Sequence, residues 1–68
     1  MISTQGYDAL IHLIVNELHV STTDEVVRRI IRDRFSPHVP RYVVCLILRK
    51  AIRLHHRNQM IHRELMGK

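Results

Sequence analysis

Proline and glycine leave this chain very few places to break. Gly6 and Gly67 lie near the two ends, and the only prolines are Pro37 and Pro40. Between these points run segments whose apolar residues recur every three or four positions. That spacing lines one side of an α-helix, whereas a half-buried strand would alternate. The spacing predicts an all-α fold of three helices, the last the longest.

The first helix is expected over about Tyr7–His19. Leu10, Ile14 and Leu18 recur every four residues, joined by Ile11 and Leu13. The stretch His12–Val20 also suits a strand through its β-branched residues, but the four-residue spacing favours helix. The second helix carries a start signal. Thr22 and Glu25 have the Ser/Thr-x-x-Glu spacing of a capping box, in which the hydroxyl and the carboxylate satisfy free amides of the first turn. Asp24 and Glu25 suit the positive start of that helix, and Arg32 and Arg34 its negative end. Val26, Val27, Ile30, Ile31 and Phe35 make its apolar stripe, and Ser36-Pro37 ends it.

The third helix is expected from near Pro40 to Leu65. Val44, Ile47, Leu48, Ala51, Leu54, Ile61 and Leu65 share one side, and Arg49, Lys50, Arg53 and Arg57 share the other. Arg57-Asn58-Gln59 is the expected place for a break. The run Val43–Leu48 is apolar on nearly every side, as in a segment covered on more than one face.

A chain of 68 residues is a single domain, 1–68, and buries a modest share of its surface. Domains of this size usually gain stability from disulfides, a metal or a second subunit. Cys45 is the only cysteine, so no intrachain disulfide forms, and it reads as a small buried hydrophobe. Self-association is therefore expected, as a dimeric helical bundle closed through Tyr42, Val43, Leu46, Ile47, Ala51 and Leu54.

Charge separates the chain into two parts. Met1–Val27 contains no Lys or Arg, and Asp8, Glu17, Asp24 and Glu25 give it −4. Arg28–Lys68 holds all 11 basic residues against Asp33 and Glu64, for +9, and the net charge is +5. A basic half seeks phosphate or an acidic protein surface. Two clusters are the candidate nucleic-acid contacts: Arg49, Lys50, Arg53 and Arg57 on the third helix, and Arg28, Arg29 and Arg32 on the second. Arginine suits this task because its guanidinium forks onto two phosphate oxygens.

Other readings are weaker. Helix, short turn and helix over Thr22–Arg57 matches the spacing of a helix-turn-helix reader. Yet Val43–Leu48 offers base edges almost no donors or acceptors. Six histidines are many, but His12/His19 and His55/His62 stand seven apart, not the four of a helical zinc site. No metal or other cofactor is expected. No nucleophile has a base and an oxyanion donor arranged by any motif, so no enzyme is expected. No secretory signal is expected, because the N-terminus lacks the positive charge that would precede its apolar stretch, and no apolar run reaches membrane-spanning length. These points lead to a small basic dimeric regulator in the cytoplasm that binds nucleic acid. The alternative is an interaction module that docks on a larger regulatory protein and blocks or bridges it.

Overall fold

The computed structural model describes residues 5–67. A short 3-10 turn, Gln5–Tyr7, leads into α1 (Asp8–Glu17), followed by α2 (Asp24–Phe35) and α3 (Arg41–Met66). No strand occurs among the described residues, so the segment from His12 to Glu17 takes the helical alternative.

The long α3 is the spine, and both other helices pack on it. Lys50 of α3 meets Asp8 at the start of α1, and Asn58 meets Asn16 near its end, so α1 runs parallel to α3. Asp24 at the start of α2 meets His56, while the turn after Phe35 joins the other ends. Hence α2 and α3 form an antiparallel hairpin. Both ends of α2 lie against α3, which differs from the steep crossing of a helix-turn-helix reader.

The core follows the apolar stripes. Ile11, Ile14 and Val15 of α1 and Val27, Ile31 and Phe35 of α2 enclose Val43, Val44, Ile47 and Ala51 of α3, with Val39 closing the turn. The Tyr7 ring meets Phe35 edge to face, with centroids 5.7 Å apart, and ties the entry of α1 to the end of α2. The apolar run of α3 is thus covered on two flanks within the chain itself.

Four local expectations are corrected. Helix α1 stops at Glu17 because the chain turns at His19, whose carbonyl accepts from Thr22 N–H at 3.0 Å and whose Nδ1 accepts from Ser21 N–H at 3.1 Å. The N-cap of α2 is Thr23, not Thr22: the Thr23 hydroxyl accepts from Val26 N–H at 3.3 Å. Val26 stands where a capping box needs Glu, so no box forms. The reason is tertiary. His55 Nε2–H donates to the Thr22 carbonyl at 2.7 Å and holds that residue one position ahead of the N-cap.

The third correction concerns the expected break in α3. The helix runs unbroken through Arg57-Asn58-Gln59 for 26 residues. Asn58 donates to the Asn16 side chain at 3.0 Å and Gln59 to the Val20 carbonyl at 2.7 Å. These polar residues dock α1 and its loop onto the helix. The fourth is Cys45, which is exposed. It borders the open depression between α3, Arg32 of α2 and the turn that joins them.

No helix of the described residues is long and apolar enough to cross a membrane.

Candidate nucleic-acid interface

The antiparallel hairpin brings the two basic clusters together along one flank. Arg28 and Arg32 are four residues apart on α2, and Arg49 and Arg53 four apart on α3, so each pair occupies one side of its helix. Arg28, Arg49 and Arg53 line a groove together with His56, over a floor of Leu48 and Ile52. Leu48 also belongs to the adjoining depression, lined by Arg32, Arg41, Cys45, Val39, Pro40 and Val44 among others. The two form a surface running the length of the hairpin. Its floor is apolar and its rim carries Arg28, Arg32, Arg41, Arg49 and Arg53.

None of these five guanidinium groups has an ion-pair partner among the described residues. The side-chain ion pair among the described residues is Lys50–Asp8 at 2.7 Å, and His56 Nε2–H donates to the Asp24 carboxylate at 2.8 Å. The His56 ring sits between both Asp24 carboxylate oxygens, at 2.9 and 2.8 Å, and so closes the far end of the groove. Glu25 and Asp33 line the outer surface of α2 beside Arg29 and also border Arg28 and Arg32. The groove between the helices thus carries arginines on its rim, with Asp24, Glu25 and Asp33 at its borders.

The sequence-predicted contacts separate accordingly. Arg28, Arg32, Arg49 and Arg53 converge on the groove. Arg29 faces the outer surface of α2. Lys50 lies on the other flank of α3, where Asp8 neutralises it. Arg57 is exposed one turn beyond Arg53. Arg41 and His56 were missed by the sequence reading. Their signal was the same helical spacing: eight residues before Arg49 and three after Arg53.

Of the expected dimer contacts, Val43, Ile47 and Ala51 are buried in the chain's own core, Ile47 and Ala51 completely. Any interface on this face must be drawn from Tyr42, which is 57% exposed, and from Leu46 and Leu54, which are half-buried.

The histidines have separate tasks. His55 is 1% exposed and bonded to the loop, His56 pairs with Asp24, and His19 shapes its turn. Among the described residues no three of His, Cys, Asp and Glu are placed to hold a metal ion. What the groove offers is a set of guanidinium donors over an apolar floor. Each guanidinium there presents parallel N–H donors of the kind that pair with carboxylate or phosphate oxygens.

Comparison with protein-family models, curated proteins and solved structures finds no match.

Proposed function

We propose that this chain is a small regulator that binds nucleic acid inside the cell by laying a phosphate backbone along the α2–α3 groove. The observation that carries this reading is the convergence of Arg28, Arg32, Arg49 and Arg53 from two helices onto one surface, without an ion-pair partner for any of them. Each guanidinium gives a phosphate two parallel N–H donors. Counterions released from the nucleic acid then supply much of the affinity.

Sequence reading plays little part in this scheme. Leu48 and Ile52 on the floor have no donors or acceptors for base edges. Binding should respond to the backbone and its charge density more than to base order. The chain acts as a binder and not as a catalyst, and as a dimer.

The apolar floor favours one other reading. Val44, Leu48 and Ile52 beneath a basic rim suit an acidic amphipathic helix of a larger regulatory protein. The two readings separate in a pull-down from cell lysate with and without nuclease. Recovery of nucleic acid that nuclease abolishes supports the first. A stoichiometric acidic protein retained after nuclease, and lost with Leu48→Glu, supports the second.

A further inference from the structure

Two apolar surfaces of this chain are uncovered. One is the end of α3, where Met60 is 61%, Ile61 45%, Leu65 74% and Met66 73% exposed. The other is the outer face of α1, where Leu10 is 43% and Leu13 57% exposed.

The end of α3 continues a surface that is covered lower down. Lys50 and Asn58 mark the flank of α3 that α1 occupies, through Asp8 and Asn16 at the same offset of 42 residues. At about 100° per residue, Ile61 and Leu65 fall between Lys50 and Asn58 on the circumference of the helix. They belong to the α1-binding stripe, Ile61 just past the level where α1 ends at Glu17 and Leu65 nearly two turns past it. Lower down, that stripe receives the buried face of α1, with Ile11, Ile14 and Val15. The outer face of α1 lies opposite its buried residues Ile11, Ile14 and Val15, so Leu13 points away from α3.

Charge supports the same match. Glu17 lies toward the outer face of α1, whereas Asp8 is turned inward to Lys50, and Arg57 borders the Ile61–Leu65 stripe of α3. Glu17 and Arg57 are thus an oppositely charged pair beside the two uncovered surfaces.

We propose that a second copy of this chain covers both. About a twofold axis near Asn58, the α3 tail of each copy lies antiparallel on the outer face of α1 of the other. Leu65 then sits over Leu10, and Ile61 over Leu13, with Arg57 beside Glu17 of the second copy. The contact is made twice, as a closed twofold pair requires. It lies on the α1 flank of α3, so the groove on the α2 flank of each copy stays open.

The test is sedimentation of the full chain after nuclease treatment and at high salt, where nucleic acid cannot bridge copies. The unaltered protein is expected to sediment as a dimer at micromolar concentration. Leu13→Glu and Leu65→Glu, both at exposed positions, are each expected to give a monomer with unchanged helical circular dichroism. Leu46→Glu, on the opposite end of α3, is expected to leave the dimer intact. A monomeric unaltered protein overturns the proposal. So does a dimer lost with Leu65→Glu but kept with Leu13→Glu, because the tails would then pair with each other. Loss of the dimer with Leu46→Glu overturns it as well, by placing the contact at the other end.

Discussion

Thr22 and Thr23 are adjacent and do different work. The Thr23 hydroxyl caps α2, while Thr22 acts through its backbone carbonyl, held by His55. Thr23→Ala should therefore cost about 1 kcal/mol, the usual loss for an N-cap. Thr22→Ala should cost much less. Urea denaturation midpoints of the two variants distinguish them, and equal midpoints would show that the cap is shared. His55 is the one buried polar side chain among the described residues. His55→Ala removes a buried ring and the donor to Thr22 together, and should cost roughly 2–4 kcal/mol by thermal or urea unfolding. Neither role was legible in sequence. The Thr-x-x-Glu spacing pointed to Thr22, and only the contact with a residue 33 positions away moves the cap by one. Cys45 misled for a related reason. Its neighbours in the sequence are apolar, but burial on a helix depends on the side that other helices cover.

The type and order of the helices were legible because their apolar spacing is regular and their breakers are few. Both prolines fall in the single turn between α2 and α3, and Phe35 and Pro40 sit within one residue of the boundaries expected for them. The continuity of α3 was not legible. Arg57-Asn58-Gln59 is polar on all sides and resembles a loop, yet Asn58 and Gln59 face α1 and its connection. A polar residue inside a helix reads as a break until its partner is known. Gln59→Ala removes the donor to the Val20 carbonyl and leaves the helix intact. It should loosen the segment from Leu18 to Thr23, with faster hydrogen exchange there, no loss of protection in α3, and a stability loss of about 1 kcal/mol. Equal loosening along α3 would show that Gln59 supports the helix itself.

At the scale of the whole molecule, the charge split becomes a division of surfaces. Five arginines of the second part of the chain gather on the α2–α3 flank, while α1, which has no Lys or Arg, takes the other. The convergence of Arg28 and Arg32 with Arg49 and Arg53 was only half legible. Helical spacing groups the members of each pair, but nothing local says which flank of α3 receives α2. That depends on which apolar residues pack, and it also removes Lys50 and Arg29 from the set. Lys50 appears equivalent to Arg49 in the sequence, yet it is bonded to Asp8 across the molecule.

That division makes the groove testable against its own neighbours. The direct measurement is the affinity of the full chain for duplex DNA as a function of salt. Arg28→Ala, Arg32→Ala, Arg49→Ala and Arg53→Ala are compared with Arg29→Ala and Lys50→Ala. Each groove variant should weaken binding to all sequences alike and reduce the slope of log affinity against log salt by about 0.9 per phosphate contact removed. The Arg29 and Lys50 variants should keep the slope of the unaltered protein. No salt-sensitive binding at low ionic strength, or an equal loss of slope in all six variants, would contradict a phosphate-binding groove between α2 and α3.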